Sequence, residues 1–529
     1  MSTFKRNFGR SLLSPIIFGL ITGIICGAFL TLFLICSKVV LEFAFGMYEA
    51  RDGALAVVCI LILVILCCLL MAVIQTLCPS AKGSGIPLAE GSARGMLRVK
   101  WLSTAASLIA GSLLSFACGM PLGSEGPSIG VGALIGDGVG KTAKRPTELK
   151  RYLITGGASA GLAVAFNAPL TGICFAFEET HRRFSPGIIA SALSAVIAAV
   201  ITSQLAFWGF GQIPYLHELG VSAGFCLLPG LKQTPFKSIT DTLAVCGAAI
   251  ICGGVCAAVG AGFNRIIGVL SKLFGKIKSN TLRLLPAFLL AAVCGLSLYK
   301  LAGSGEATFA SVGTNTAVWL LVVILVVRFI MTAVASGSGA TGGLFLPMIA
   351  IGGIIGTIAA KACVACGMSE AYSANIIMLC VCAYFASSVR APITAIALSI
   401  ELTASFANLL PCVIAVGAAT VIAELTKTEP LYEHMLEKMV ARAPLPPSAQ
   451  NSIAVGVLRD DSPIAFKRIR NILWPYNSLV TDLVRDGASL VPDGETVLRP
   501  GDKLTIRAEN VDPEAFNSEV REILEVQQE

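Results

Sequence analysis

The sequence predicts an all-α polytopic membrane protein built from two repeats of full and partial transmembrane helices, followed by a small α+β domain. Three features predict it. Of 529 residues, 55% are apolar and only 13% charged, against about 25% charged in a typical soluble protein. A set of glycine and proline landmarks returns at a nearly constant offset, and the composition turns polar from about Ser452.

Apolar runs close to the roughly 20 residues that cross a bilayer occur around 15–36, 54–78, 102–120, 187–208, 242–263, 285–302, 316–335 and 407–424. Shorter glycine-rich runs lie between them and predict broken or partial helices. The first run follows Lys5, Arg6 and Arg10 and has no small-residue cleavage site, so it reads as a retained helix rather than a signal peptide. Basic clusters at 5–10, 141–151 and 181–183 mark cytoplasmic ends by the positive-inside rule. The net charge of +7 fits those clusters better than nucleic-acid binding.

All 18 cysteines, the last being Cys412, fall in or near apolar segments and read as small core residues. Cys363 and Cys366 form one C-x-x-C pair without a second pair or a nearby histidine, and the chain has only His181, His217 and His434, so no metal site is expected.

Gly83-Ser84-Gly85 returns as Gly303-Ser304-Gly305, and Pro127, Gly132, Ile135 and Gly136 return as Pro347, Gly352, Ile355 and Gly356, both at an offset of 220. Asn167-Ala-Pro-Leu-Thr-Gly-Ile173, with Glu178 and Thr180, is echoed by Arg390-Ala-Pro-Ile-Thr-Ala-Ile396, with Glu401 and Thr403, at 223. Three landmarks in the same order indicate duplication. Two-repeat membrane domains commonly place the substrate at the repeat interface, where broken helices turn their N-termini to an anion.

After the last apolar run, Thr426 to His434 reads as a short amphipathic helix, and Ala443 to Pro447 as a proline-rich linker. Ser452 to Leu458 alternates like a strand, Val491 to Arg507 reads as a hairpin leading into a strand, and a charged helix from about Pro513 to Gln527 closes the chain.

Gly123-Ser124-Glu125-Gly126-Pro127 carries the main functional signal. Glu125 is a lone carboxylate at membrane depth, which costs several kcal/mol unless compensated. Gly126-Pro127 is a helix start whose free N–H groups supply the compensation. The economical reading is that the Glu125 carboxylate and an external anion compete for one nest of N–H groups.

Gly83-Ser84-Gly85-Ile86-Pro87 places a hydroxyl between glycines ahead of a second proline helix start; an anion donor and a plain glycine turn both fit. Thr341 to Pro347 is the counterpart, offering the N–H groups of Phe345 and its neighbours. Tyr432 reads either as an interfacial tyrosine or as a phenol closing such a cage from inside. Glu178 and Glu179 end an apolar segment at a basic edge. Helix neighbours point about 100° apart, so one carboxylate can pair with the arginines at 182 and 183 while the other passes protons. Two further matches are set aside: Gly157-Ala-Ser159-Ala-Gly161 lies in an apolar helix with no histidine in reach, and Gly337 to Gly342 lacks the acidic residue that a dinucleotide site needs.

Gly83-Ser84-Gly85-Ile86-Pro87, Gly123-Ser124-Glu125-Gly126-Pro127, Gly343-Leu344-Phe345-Leu346-Pro347 and the Tyr432 segment, in this order, resemble the signature set of the CLC chloride channels and proton/chloride antiporters, over about residues 12–440. The resemblance implies a homodimer with one pore per subunit, each subunit built of two inverted halves, here about 12–225 and 240–425. It implies chloride bound by Ser84, by the amides near Ile86, Phe345 and Leu346, and by the Tyr432 hydroxyl. It places the gating glutamate on Glu125 and the internal proton-transfer glutamate on Glu179, with Glu178 and Glu90 as further carboxylates on the proton path. Ser124 departs from the arginine or lysine common there, which affects the outer electrostatic funnel rather than the gate. Residues 452–529, beyond a linker at 441–451, resemble the TrkA-C regulatory domain of bacterial transporters through Leu490 to Leu498 and Pro500 to Leu504, with a small ligand as the implied partner.

The resulting expectation is a proton-coupled chloride antiporter of a prokaryotic inner membrane, with both termini cytoplasmic, no cofactor beyond the transported ions, and lipid as its surroundings. A passive chloride channel of the same fold is the alternative, and Glu179 weighs against it. A ligand sensor with vestigial transport and an intramembrane enzyme follow behind, the latter disfavoured by three histidines and no paired nucleophile.

Overall fold

The computed structural model describes residues 2–180, 185–212, 233–311, 313, 316–442, 448, 450–460, 462, 464–472 and 474–524. His181, Arg182, Arg183, His217, the linker at 443–447 and the end of the predicted C-terminal helix lie outside them.

The first half contains α1 (Ser2–Glu49), α2 (Ala54–Leu77), α3 (Gly85–Ala93), α4 (Trp101–Ala117), α5 (Glu125–Thr142), α6 (Thr147–Phe166), α7 (Pro169–Phe175) and α8 (Pro186–Phe210). The second contains α9 (Ile239–Gly275), α10 (Asn280–Ser297), α11 (Glu306–Ser311), α12 (Val318–Ser338), α13 (Phe345–Ala365), α14 (Ser373–Val389), α15 (Pro392–Thr403) and α16 (Leu409–Leu425), and is followed by α17 (Leu431–Arg442). Among the described residues eight helices are long and apolar enough to cross a membrane. Two runs expected to do so, 102–120 and 407–424, form the shorter helices α4 and α16, whereas the glycine-rich α13 and the stretch Glu370–Val389 are full-length. α17 begins at Leu431 rather than Thr426, because Pro430 disfavours helical backbone at the residue before it.

The helices meet through small residues. Apolar lipid gives no reason for membrane helices to associate, so they pack where backbones can touch. α5 and α6 do this at Gly132 and Gly157, where an added Cβ would lie 2.2 and 2.1 Å from the other glycine's carbonyl oxygen. Cys26, Cys67, Cys118, Cys380, Cys382 and Cys412 are buried in the helical core as small residues, whereas Cys36, Cys59 and Cys366 are exposed on the chain's surface and are not the core residues expected. Ser159, in the set-aside elbow motif, merely donates its hydroxyl to Thr155 O in α6 at 3.0 Å.

The two halves are joined by reciprocal contacts. Gly83 N–H donates to Gly339 O (3.2 Å), and its repeat mate Gly303 donates to Gly119 O (2.8 Å); Gly119 and Gly339 are themselves 220 apart. Gly123 and Gly343, also 220 apart, exchange two hydrogen bonds (2.8 and 2.7 Å) and so sit on the axis relating the halves. The offset of 223 gives a second exchange. Glu178 accepts from the amides of Ile393 (2.7 Å) and Thr394 (2.6 Å) at the start of α15. Glu401 accepts from those of Leu170 (2.6 Å) and Thr171 (2.7 Å) at the start of α7. Each half thereby caps a proline-initiated helix of the other, satisfying amides that have no partner within their own helix.

The C-terminal lobe is a four-stranded antiparallel sheet of order β1-β4-β2-β3, comprising β1 (Gln450–Val457), β2 (Leu479–Arg485), β3 (Ala488–Leu490) and β4 (Lys503–Val511). The helix α18 (Pro513–Leu524) buries Phe516, Val520, Ile523 and Leu524 against it. The predicted hairpin at Val491–Arg507 is misplaced. The two-residue turn is Asp486-Gly487, with φ of 52° and 82°, joining β2 and β3; paired positive φ values are what a tight hairpin needs. Residues 491–502 form a loop. In it Asp502 is almost fully buried and receives both Nε and Nη2 of Arg485 at 2.7 Å. Burial alone would raise its pKa, but Arg485 and the Arg499 amide hold it below the usual aspartate value.

Three outcomes are expected. Gly157→Val should cost more than the about 1–3 kcal/mol of ordinary overpacking, because the new methyls meet backbone, and should abolish the folded fraction in detergent size-exclusion. Gly247→Val, where an added Cβ meets nothing within 4 Å, should leave that fraction unchanged. Asp502→Asn should lower the stability of the lobe by about 1–3 kcal/mol at pH 7. A depressed carboxyl contributes stability above its unfolded pKa, about 4, and loses it as pH falls through the folded value. The gap between variant and parent melting temperatures should therefore close below pH 4.

Candidate functional site

Three loops converge where the halves pair: 83–85 before α3, 123–124 before α5 and 339–344 before α13. Each opens a helix whose first amides lack partners within the helix, and each helix start carries partial positive charge. The approach is close enough to require glycine. At Gly126 a Cβ would lie 2.6 Å from Ser84 Oγ and 2.7 Å from Gly343 Cα, and at Gly85 it would lie 2.3 Å from Gly126 O.

Ser84 caps α3, its Oγ accepting from Ile86 N at a long 3.4 Å, and both residues are buried. Phe345 opens α13, and its ring packs on Phe385 and Phe166 at centroid distances of 4.3 and 4.7 Å. Those rings make a dry wall.

Glu125 is the first residue of α5 and is 1% exposed. Its carboxylate folds back over Gly123, where a Cβ would lie 2.1 Å from Oε2. Ser124 Oγ donates to Oε1 at 3.4 Å, and the backbone N–H groups of Glu125 and Leu346 face the carboxylate. The structure thus brings Glu125, Ser84, Ile86, Phe345 and Leu346 to one place. A carboxylate on helix-start amides occupies the kind of position a small anion takes.

Tyr432, the second residue of α17, is completely buried, and its hydroxyl has no partner among the described residues. It lies within electrostatic reach of both Glu125 and Glu179. A buried hydroxyl without an acceptor is costly in a finished core and is suited to a ligand that supplies one.

Glu179 is also 1% exposed and sits in a π-helical turn, Ala176–Thr180, that packs on α3. Such turns re-aim side chains and occur frequently at functional sites. Here the i→i+5 turn replaces the 100° spacing expected of an α-helix. Glu178 makes no described bridge to arginine; it is committed to the amides of α15, 215 and 216 residues away in sequence. Glu90 is fully buried on α3 and paired with Arg94 at 2.8 Å.

The residues that hold the loops were not singled out from sequence. Arg283 Nη2 donates to Gln75 Oε1 (2.9 Å), and Gln75 Nε2 to Gly339 O (2.8 Å), fixing the carbonyl that receives Gly83. Arg328, wholly buried in α12, donates to Leu301 O (3.0 Å) and Gly303 O (2.8 Å) in the equivalent loop. A lone charge or amide inside an apolar run is the signal that would have found them. Glu429, His434 and Glu437 place ligand-type atoms within 4.8 Å of one another around α17, with both glutamates exposed.

Residues 67–424 match the family model described as voltage gated chloride channel. The H(+)/Cl(-) exchange transporter ClcA of Cronobacter sakazakii is 33% identical over 378 residues, 70% of this chain and 77% of that protein. The protein of the same name from Yersinia pestis is 32% identical over 378 residues, 70% and 75% of the two chains. Among solved structures, a slow cyanobacterial Cl-/H+ antiporter superposes with a TM-score of 0.71 at 27% identity, covering 82% of this chain and 99% of the other. A eukaryotic CLC transporter shares the fold at 20% identity, with a TM-score of 0.63 over 87% and 78% of the two chains. The chain is therefore an integral membrane protein of the voltage gated chloride channel family, the CLC proteins.

Proposed function

We propose that this chain exchanges chloride for protons across the membrane, with Glu125 as gate and Glu179 as the internal proton-transfer residue. The observation that carries the proposal is the placement of Glu125: one carboxylate at the meeting point of three helix starts, where Gly126 closes on Ser84 Oγ, within electrostatic reach of a buried Tyr432 hydroxyl that has no acceptor among the described residues. The similarity to exchange transporters supports the same direction.

The mechanism follows from charge. Ionised, Glu125 neutralises the helix starts and excludes a second anion from them. Protonated, it no longer competes, leaves the amides and admits chloride. Ser84, the amides near Ile86, Phe345 and Leu346, and the Tyr432 hydroxyl then complete the anion's shell. Because one site takes either a carboxylate or a halide, movement of one ion requires movement of the other. Glu179 relays protons between the inner side and Glu125; Glu90, on the intervening α3, tunes that path. Glu178 serves by holding the two halves together.

The same proposal includes a homodimer in a prokaryotic inner membrane, both termini in the cytoplasm, and a TrkA-C-like regulatory role with a small ligand for the C-terminal lobe.

Reconstituted Glu125→Gln should pass chloride while moving no protons against a chloride gradient, whereas retained proton pumping would refute the gate. Glu179→Gln should likewise uncouple with chloride flux kept, and a wild-type reversal potential indifferent to the proton gradient would mean a channel. Glu178→Ala should instead lower thermal stability in detergent by about 1 kcal/mol, the loss of a carboxylate cap on the first amides of α15, with the exchange ratio of the surviving fraction unaltered.

A further inference from the structure

We infer that Glu306 is the outer proton-transfer residue of this chain, carrying protons between the outside solution and Glu125; the inference deepens the transport reading above and rests on it. Glu306 begins α11 directly behind Gly303-Ser304-Gly305, and it stands 220 residues after Ile86. Where the first half follows this loop with an apolar side chain, the second half sets a carboxylate. Duplication accounts for the loop. It does not account for the charge, which is costly at membrane depth and marks a functional position there.

The loop is pinned to the approach to Glu125. Gly303 N–H donates to Gly119 O at 2.8 Å, and from Gly119 the chain runs through the Gly123 turn to Glu125. Arg328 of α12 braces the same loop from behind. Besides donating to Leu301 O and Gly303 O, its guanidinium fills the space beside Gly305, where an added Cβ would lie 2.3 Å from Nη2. Gly305 has φ of +117°, so the turn into α11 requires glycine. Lys300, earlier in the loop, is turned to the Tyr299 ring, 6.0 Å from its centroid. The carboxylate is thereby held on a fixed turn, and its charge reaches Glu125.

The other side of the loop is covered by α1. Leu41 and Phe45 close over Gly303, where a Cβ would lie 2.9 Å from Leu41 Cδ1 and 3.3 Å from Phe45 Cζ. Lys38 and Glu42 share that helix face; both are within electrostatic reach of Glu306, and Glu42 is exposed. The apolar part of α1 begins at Leu12, behind the basic residues at 5–10. A crossing of roughly 20 residues therefore brings 38–45 to the outer side. Glu125 is 1% exposed and shut off from water, whereas Glu306 is only partly buried. Glu42, Glu306 and Glu125 form a series of carboxylates from surface to gate.

In the transfer step a protonated Glu306 gives its proton, through intervening water, to an oxygen of ionised Glu125. Glu306 keeps the electron pair and is left ionised near Lys38, whose ammonium steadies that charge. Its next proton comes from the outer solution past Glu42, and the reverse sequence discharges a proton outward. No contact with the anion is involved, so the role shows only while chloride movement is tied to protonation of Glu125.

The test compares Glu306→Gln, Glu306→Asp and the double variant Glu306→Gln/Glu125→Gln with the parent and with Glu125→Gln alone, all as full chains in liposomes with chloride and proton fluxes recorded together. At neutral external pH Glu306→Gln is expected to slow coupled exchange by about tenfold or more, and to regain rate as external pH is lowered, because protons then reach Glu125 without the relay. Glu306→Asp should restore most of the rate. In the Glu125→Gln background, where chloride no longer waits for a proton, the effect of Glu306→Gln should vanish. Exchange by Glu306→Gln at the parent's rate would overturn the inference, as would an equal loss of chloride flux in both backgrounds, which would make Glu306 a structural or anion-path residue. If the parent moves chloride without protons, or Glu125→Gln stays coupled, the transport reading itself fails and the relay falls with it.

Discussion

Three helix N-termini pointed at one spot repel one another, and the architecture of this protein follows from that conflict. Each start carries roughly half a positive charge on amides that no helical carbonyl can satisfy. Apolar surroundings and the low dielectric that goes with them make the repulsion stronger than it would be in water. A negative group resolves it, and the chain supplies one of its own in Glu125. That carboxylate therefore stabilises the fold, and on the proposed reading it also occupies the substrate's position, so that exchange is a substitution rather than the filling of an empty site.

Duplication is what holds the starts together. Gly83 with Gly339, Gly303 with Gly119, and Gly123 with Gly343 form a short backbone seam between the halves. Side chains larger than hydrogen at Gly85 or Gly126 would force the loops apart. Farther out, Glu178 and Glu401 cap each other's half, so the seam is clamped by carboxylates at a distance. Carboxylates are thus used in two ways: fully bonded at Glu178 and Glu401, which clamp the halves, and, on the proposed reading, loosely held at Glu125, which exchanges with an ion.

The loops that the structure brings together were legible in sequence because their requirements are local. A glycine before a proline helix start fits an anion donor and a plain turn alike, but a lone glutamate in an apolar run asks for compensation, and the 220-residue offset relates Gly123 to Gly343, which the structure pairs. What could not be read depended on distance. The amides that Glu178 caps lie more than 200 residues away, so nothing beside it in the sequence points to them. Gln75 and Arg283 look ordinary until their shared carbonyl, Gly339 O, is seen. Helix lengths failed where glycine hid a full span, as in α13, and the lobe's hairpin was misplaced because Pro492-Asp-Gly494 resembles a turn as much as Asp486-Gly487 does. The seat of the lobe on α6 was invisible for the same reason: Glu522 accepts from the amide and the hydroxyl of Thr147, and a cap delivered from so far along the chain leaves no trace beside it.

The central claim is that one cradle of amides holds either the Glu125 carboxylate or a halide. Bromide-soaked crystals of the parent and of Glu125→Gln, compared by anomalous scattering, test it most directly. A bromide peak is expected near Ser84 Oγ and the Tyr432 hydroxyl in both, with an additional peak in the variant at the place the parent's carboxylate occupies, against the amides of Glu125 and Leu346. Identical peaks in the two, or bromide nowhere near those amides, would contradict it.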